Sequence, residues 1–241
     1  MNPRELTTRK IHAALEREPR INIHRHPIRI ESRDGAVTLE GEVADVAAKK
    51  LALEAAASAD GVSGVVDRLR VAPGEARGDG AVRDSLVRTL LQQPEFRNCT
   101  ILSTTNQRTE SHHSADSESV GEVQISVADG VIALEGHVIS QSHKRFAGVL
   151  AWWTPGRRDV VNSLEVTPAY EDGDDEVAEV LGLVLEADPL LHAERIRARC
   201  EGKVVILEGS VRTEHQKSRA ELDAWSLFGV DRVDNRLQVT D

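Results

Sequence analysis

The sequence lacks the features that most direct chemical functions require. Its 241 residues include two cysteines, Cys99 and Cys200, and aromatic residues make up only 3% of the chain. Cysteines this far apart form neither a metal motif nor a redox motif, and so few rings exclude a base-stacking surface. The motifs GxxxxGK[ST], GxSxG, HExxH and CxxC, and GxGxxG after a strand, are all absent, so we predict that the chain is not an enzyme.

A basic balance is missing as well. The formal net charge is −10, and residues 171–241 carry 9 Lys and Arg against 17 Asp and Glu. Nucleic-acid binding needs clustered cations that neutralise phosphates, so we predict no nucleic-acid partner. The first residues, MNPRELTTRKIHAALEREPR, mix charge with short apolar steps and lack the core of a signal peptide. We therefore expect a cytoplasmic chain, or a periplasmic one if a leader has been removed.

What the sequence does contain is one pattern three times. The triplet LEG recurs in VTLEGEV, IALEGHV and VILEGSV, with its glycine at Gly41, Gly136 and Gly209. A second glycine follows twenty residues later in each copy, at Gly61, Gly156 and Gly229. A register held three times predicts three tandem repeats, which we place at residues 5–72, 81–167 and 174–240.

The second repeat is longer than the others. From the proline that limits the first helix to the LEG glycine, the spacing is 22 residues after Pro19, 42 after Pro94 and 20 after Pro189. The extra residues lie near 103–121 and are polar, TTNQRTESHHSADSES. We interpret them as a disordered loop.

Apolar periodicity predicts the elements of each repeat. Ile11 and Leu15 lie four apart, as on one helix face, and Val37, Leu39 and Val43 alternate as in a half-buried strand. A second helix carries alanine pairs four apart, and a Val-rich third strand follows. We predict an α+β fold of three tandem αββαβ units, each with two helices packed on one face of a small mixed sheet. The LEG glycine is expected to face inward and to leave room for the alanine-lined helix.

These motifs resemble those of the BON domain (bacterial OsmY and nodulation). The resemblance rests on DG-x-V-x-L-x-G-x-V, on the helix with a central lysine and alanine pairs, and on GV-x-x-V-x-N-x-L-x-V, and it covers nearly the whole chain. It implies a stress-associated binding protein that contacts phospholipid or cell-envelope components. Some cytoplasmic relatives bind other ligands, including potassium. The alternative is therefore a cytoplasmic scaffold or a small-ligand or ion sensor that acts through protein contacts, including self-association.

Candidate contact residues lie on the second helix of each repeat. They are Lys49, Lys144 and Lys217 at one shared position, Trp152 and Trp225 at another, and Arg145, Phe146 and Trp153 beside them. A lysine either contacts a headgroup or covers apolar surface with its stem. A tryptophan in such a place either enters a lipid interface or docks another repeat. The segment SHKRFAGVLAWW is the best candidate for a membrane surface.

The remaining polar motifs predict no further chemistry. His24, His26, His112 and His113 come without a recognised set of metal ligands, and we interpret them as exposed. The third strands carry a shared polar position, Asp67, Asn162 and Asn235, which we expect to satisfy backbone groups. We predict no metal and no cofactor.

Overall fold

The computed structural model describes residues 3–115, 121–168 and 173–240, which form six α-helices and three sheets. The chain divides into two compact units, Met1–Ala72 and Pro73–Asp241. The first unit holds the first repeat, and the second unit holds the second and third repeats.

The first repeat has the predicted order of elements. They are α1 (Pro3–Arg17), β1 (Ile28–Arg33), β2 (Ala36–Val43), α2 (Val46–Ala57) and β3 (Gly64–Val71). β1 pairs antiparallel with β2, and β2 pairs parallel with β3, so the sheet is mixed. The turn between β1 and β2 is Asp34-Gly35, with φ of 53° and 85°, the positive values that a two-residue hairpin of type I′ requires.

The second repeat contains two additional strands. Its elements are α3 (Asp79–Gln92), β4 (Cys99–Thr105), β5 (Arg108–His113), β6 (Gly121–Ala128), β7 (Val131–Val138), α4 (Gln141–Trp153), β8 (Asp159–Asn162) and β9 (Glu165–Val166). The strand order is β5-β4-β6-β7-β8, and β9 also pairs with β7.

The third repeat returns to the simpler form. Its elements are α5 (Asp174–Ala187), β10 (Ile196–Glu201), β11 (Val204–Val211), α6 (Glu214–Ser226), β12 (Arg232–Asn235) and β13 (Gln238–Val239). The prediction of an α+β fold built from three αββαβ repeats is confirmed. The strands β4 and β5 are additions to the second repeat.

The predicted disordered loop is wrong for most of its described part. Residues 104 and 105 end β4, Asn106 and Gln107 form a turn with φ of 48° and 65°, and β5 follows. Polarity misled the prediction because β5 is an edge strand with mostly exposed side chains, so its composition carries no core signal. Residues 116–120 of the insertion lie outside the described residues.

The LEG glycine is required for a different reason from the one expected. Gly41, Gly136 and Gly209 have φ of 145°, 109° and 122°, a range that side chains rarely tolerate. A Cβ on Gly209 would lie 2.0 Å from the carbonyl oxygen of Arg195, at the start of the paired strand. The glycine therefore admits a close approach of backbone within the sheet, and the alanine-lined helix is not what it makes room for.

The second helix of each repeat begins at a side-chain cap. Asp45 accepts a hydrogen bond from the backbone N–H of Ala48, and Ser140 and Thr213 do the same at α4 and α6. Such caps satisfy backbone donors that the first helical turn leaves open. The alanine pairs that follow are fully buried, at Ala52/Ala56, Ala147/Ala151 and Ala220/Ala224.

Candidate interaction surfaces

The second and third repeats pack against each other through their helices. α4 of the second repeat contacts both α5 and α6 of the third. One continuous core includes buried side chains from both repeats, among them Leu150 on α4 and Val180 and Val184 on α5. Each such side chain contributes about 1.5–3 kcal/mol when fully buried. The helix faces of these two repeats therefore form a protein interface within the chain.

Arg145 and Lys144 fix one end of this interface. Arg145 is 1% exposed, and its Nε donates to the backbone oxygen of Phe228 over 3.1 Å. The Lys144 ammonium lies 5.6 Å from the centre of the Phe228 ring. Arg145 and Lys144 of the second repeat thus contact Phe228, which follows α6 in the third repeat.

Trp153 and a buried pair of acids fix the other end. The indole N–H of Trp153 donates to Oδ1 of Asp223 over 2.8 Å, and the Arg219 guanidinium lies 5.5 Å from the centre of the Trp153 ring. Arg219 also pairs with Asp188 over 2.5 Å. The side chains of Asp188 and Asp223 are 0% and 2% exposed, so the interface buries two carboxyl groups beside one guanidinium.

This arrangement changes the acidity of Asp223. Burial, opposed in part by the positive charge of Arg219 and reinforced by the Asp188 carboxylate, raises the pKa of Asp223 to about 8. Asp223 is therefore mostly protonated at neutral pH, while its Oδ1 accepts a hydrogen bond from Trp153.

The three equivalent lysines have different environments. Lys49 is buried: its Nζ lies 2.9 Å from the backbone oxygen of Leu69 and 2.9 Å from Oδ2 of Asp67. Neither interpretation from sequence fits it, because its charged end is neither at a headgroup nor in water. Lys144 and Lys217 are partly exposed, and their proposed contact with lipid or a partner stays a prediction.

The aromatic candidates are mostly occupied within the chain. Phe146 and Trp225 are each 2% exposed, and neither can reach an external surface without local opening. Trp153 contacts the third repeat, which is the docking alternative left open above. Trp152 is partly exposed, with the Arg157 guanidinium 6.0 Å from its ring centre. The segment SHKRFAGVLAWW is therefore largely buried, in part by its own repeat and in part by the third.

The polar position of the third strand serves the backbone, as expected. The Asn162 amide donates to the backbone oxygen of Lys144 over 2.7 Å, and Asn235 donates to that of Lys217 over 3.0 Å. In the first repeat Asp67 occupies this position: its Oδ1 accepts from the backbone N–H of Leu69 over 2.9 Å, and its Oδ2 pairs with the Lys49 side chain. The shared position therefore holds either an amide that donates to a backbone carbonyl or a carboxylate that pairs with a lysine ammonium.

In the first repeat, the two helices α1 and α2 form a groove of about 640 Å³. Alanines line the floor of the groove, at Ala13, Ala14, Ala55 and Ala59. Basic residues line its rim, at Arg9, Lys10 and Arg17. The three cations are exposed. Lys10 pairs with Asp60 over 2.8 Å, and Leu6 at one end is 41% exposed.

Alignment of the repeats places this groove on the face that the other two repeats bury. Lys10 and Ala14 correspond to Val180 and Val184, and Ala55 corresponds to Leu150 and Asp223. Ser58 corresponds to Trp153. The first repeat therefore presents a basic, small-residue version of the surface through which the second and third repeats associate.

Sequence reasoning missed the buried acids and the groove. A usable signal existed for Asp223, since an acid stands where the other copies have Ala55 and Leu150. For the groove no single residue carries a signal, because its lining comes from both helices and becomes visible only when they pack.

Metal-ligand groups and cysteine thiols were the remaining candidates for chemistry among the described residues. In residues 3–115, 121–168 and 173–240, no three His, Cys, Asp or Glu side chains are grouped to hold a metal ion. Both cysteines are free. Burial raises the pKa of Cys99, and burial with the neighbouring Asp174 raises the pKa of Cys200 to about 11, so both stay as unreactive thiols. None of the described helices is long and apolar enough to span a membrane.

The three repeats, each with two helices packed on a small mixed sheet, form a tandem array of similar α+β domains. The BON domain family model matches residues 4–73, 107–168 and 173–241. The chain belongs to the BON domain family.

Solved structures add little to this assignment. The C-terminal domain of CdsD, a structural protein of the type III secretion system of Chlamydia trachomatis, aligns over 100% of both chains with 14% identity and a TM-score of 0.25. A second structure of CdsD covers 97% of this chain and 93% of its own, with 14% identity and a TM-score of 0.23. Scores this low support no inference about function. No curated protein matches the sequence.

Proposed function

We propose that the chain is a non-enzymatic binding protein that recognises an acidic partner protein through the α1–α2 groove of its first repeat. The observation that carries the proposal is the equivalence of this groove to the interface between the second and third repeats. Because BON helix faces already bind each other within this chain, the same face on the first repeat is suited to a protein contact.

Charge indicates the kind of partner. The groove of the first repeat is lined by the cations Arg9, Lys10 and Arg17, and by Asp60, which pairs with Lys10. Its alanine floor admits the close approach of a helix. An acidic amphipathic helix therefore complements the groove in both shape and charge.

Site-specific photocrosslinking tests this proposal. A photoreactive amino acid at position 58, beside the groove, is expected to capture one partner in lysate of the protein's own cell. The control position is Ser218, which is also exposed on a second helix but lies in the third repeat. Arg9→Glu combined with Lys10→Glu should abolish the crosslink. A crosslink that persists in this double variant, or that forms equally from position 218, would contradict the proposal.

Anionic phospholipid is the second candidate, and one observation favours it. Exposed Leu6 lies beside Arg9 and Lys10 at the end of the groove, and an apolar side chain flanked by cations suits a headgroup boundary. Phe228 of the third repeat, 61% exposed, forms a similar pair with the Lys144 ammonium of the second repeat. The proposed cytoplasmic location is compatible with either candidate.

Flotation with liposomes separates the two candidates. The phospholipid proposal predicts that the chain floats with anionic and not with zwitterionic vesicles, and that Arg9→Glu with Lys10→Glu reduces the floated fraction several-fold. A charge-matched control is Arg212→Glu with Arg232→Glu, two exposed arginines of the third repeat. Absence of flotation with anionic vesicles would exclude the phospholipid candidate and leave the protein partner.

A further inference from the structure

We propose that the extra hairpin of the second repeat forms a binding site for a small phosphate-bearing ligand. The site is a polar recess of about 680 Å³, here called the hairpin shelf, lined by Arg83, Ser103, Thr105, Asn106, Arg108, Thr109 and Glu110. Its volume falls in the range of pockets that bind small molecules. The other two repeats lack β4 and β5, so they cannot form it.

The shelf exists because the helices cover only part of the widened sheet. α3 packs on β4 and β6, and α4 packs on β7 and β8, while β5 pairs only at the outer edge of β4. In β4, Cys99 and Ile101 face the helices and are fully buried. The same alternation places Ser103 and Thr105 on that face, where the apolar core has ended.

Strand register brings the charged groups to the same face. Ser103 is paired with Glu110, and Thr105 is paired with Arg108. Residues directly opposite each other on neighbouring strands point to the same side of a sheet. Arg83 on α3 reaches the shelf from above, because its Nη1 donates to Oγ1 of Thr105. Two guanidinium groups therefore border the shelf, with hydroxyl groups between them.

A β-bulge places one more polar side chain, His112, behind the shelf. The register of β5 shifts opposite Ile101 and Leu102, and His112 turns so that its Nε2 lies 2.7 Å from Oγ of Ser103. Bulges commonly re-aim a side chain in this way. Ser103 is only 2% exposed, so the hydrogen bond to His112 fixes the rear wall of the shelf.

The chemistry of the lining favours a phosphate monoester. Guanidinium groups bind phosphate oxygens with two parallel hydrogen bonds, and hydroxyl groups donate to the remaining oxygens. Arg83 is partly neutralised by Asp84 over 2.7 Å. Arg108 makes no side-chain hydrogen bond or ion pair with the described residues, and is therefore available as the principal ligand. Glu110 is the one acid in the lining, and it opposes a dianion.

The opposite charges of Arg108 and Glu110 provide a signed test in the full-length chain. Glycerol 3-phosphate is titrated while amide shifts of residues 103–110 are followed by NMR, with glycerol as the ligand that lacks phosphate. Saturable shifts are expected with the phosphate compound alone. Arg108→Gln should weaken binding about tenfold, the effect of losing one charge-assisted contact. Glu110→Gln should tighten it about threefold, because a repulsive charge is removed.

Matched controls and two phosphate sources complete the experiment. Arg212→Gln, an exposed arginine in the third repeat, should leave the affinity unchanged. Arg108 and Glu110 are exposed, so both variants should keep the amide spectrum outside the hairpin. Shifts with glycerol 3-phosphate assign a free phosphorylated molecule, and shifts only with phosphatidic acid vesicles assign a lipid headgroup. Absence of saturable shifts with both, or equal affinities of Arg108→Gln and the unmodified chain, would overturn the proposal.

The test is independent of the proposed function. Arg9→Glu with Lys10→Glu changes only the first repeat and should leave shelf binding unaltered. Loss of the crosslink from position 58 therefore says nothing against the shelf.

Discussion

In the first repeat, the paired helices present Lys10, Ala14 and Ala55 to solvent. In the third repeat the same positions are Val180, Val184 and Asp223, and all three are buried against the second repeat. The sheets behind these faces are alike, with β1/β2 and β10/β11 paired in equivalent register. One BON framework thus carries either a closed apolar interface or an open basic groove, and the outward residues of two helices determine which.

The cores differ as well. Residues 1–72 contain no Phe, Trp or Tyr, so the apolar core of the first repeat has no aromatic side chain. All three tryptophans, at positions 152, 153 and 225, lie in the second unit. Tryptophan fluorescence therefore reports on the second unit, and far-UV circular dichroism reports on both. This separation allows the two helix faces to be tested in one chain.

Exchange of residues between the faces should give the largest effect. Val180→Lys places the residue of the first repeat into a fully buried position, and we expect a loss of about 3–5 kcal/mol in the free energy of unfolding of the second unit. The reciprocal Lys10→Val should change stability by about 0.5 kcal/mol or less, because it removes only an exposed ion pair. Urea unfolding followed by tryptophan fluorescence measures the effect of Val180→Lys. Urea unfolding followed by circular dichroism measures the effect of Lys10→Val.

A cost below about 1 kcal/mol for Val180→Lys would contradict a tightly packed interface between the second and third repeats. An increase in self-association with Lys10→Val would sharpen the comparison, since it would show that one apolar residue moves the first face toward the closed type.

Two lysine–aspartate pairs in the first repeat should differ in how much they contribute to the free energy of unfolding. Asp67→Ala leaves the buried ammonium of Lys49 without its carboxylate and is expected to cost about 2 kcal/mol, reduced from the value for a fully buried pair because Asp67 is one-third exposed. Asp60→Ala removes the exposed partner of Lys10 at a similar distance and should cost much less, because exposed ion pairs add little stability. Circular dichroism in urea compares them.

The combined variant Lys49→Met with Asp67→Ala should recover most of the loss, since no unpaired charge remains inside. If Asp67→Ala and Asp60→Ala have equal costs, burial of Lys49 does not determine the energy of its pair.

A further expected difference concerns the pH dependence of stability. The pKa of Asp223 is raised to about 8 in the folded chain, against about 3.9 when unfolded. Between these values the folded state binds more protons, so the stability contributed by Asp223 is greatest below pH 4 and falls as pH rises toward 8. The slope is at most about 1.4 kcal/mol per pH unit.

Asp223→Asn removes this titration while keeping an acceptor for Trp153. Unfolding at pH 5, 6, 7 and 8, followed by tryptophan fluorescence, should show a shallower fall in stability for the variant than for the unmodified chain. Parallel pH profiles would mean that the acid pair does not contribute to the interface energy.

Much of the fold could be predicted because its signals are local. The alternation of Val37, Leu39 and Val43 and the spacing of Ala52 and Ala56 follow from the periods of strands and helices. The LEG glycine was recognised as structural, yet its reason was not, because the clashing carbonyl belongs to the start of the preceding strand in the hairpin. The β5 hairpin was missed because an exposed edge strand has the composition of a loop.

The candidate site was predicted less well for a similar reason. Lys49, Arg145, Phe146 and Trp225 were all placed on the correct helix position, but burial depends on what packs against that helix. Arg145 is buried because the third repeat covers it. Lys49 is buried because Asp67 and a backbone carbonyl receive its charge.

By itself, the sequence determined that this chain contains three copies of one BON unit, since periodicity, turn glycines and a fixed register are properties of short segments repeated in order. Only the tertiary structure decided that two copies close on each other, that one leaves a basic groove, and that an extra hairpin carries a polar shelf. Those features depend on side chains from separate elements meeting in space, and burial, charge pairing and pKa arise only from that meeting.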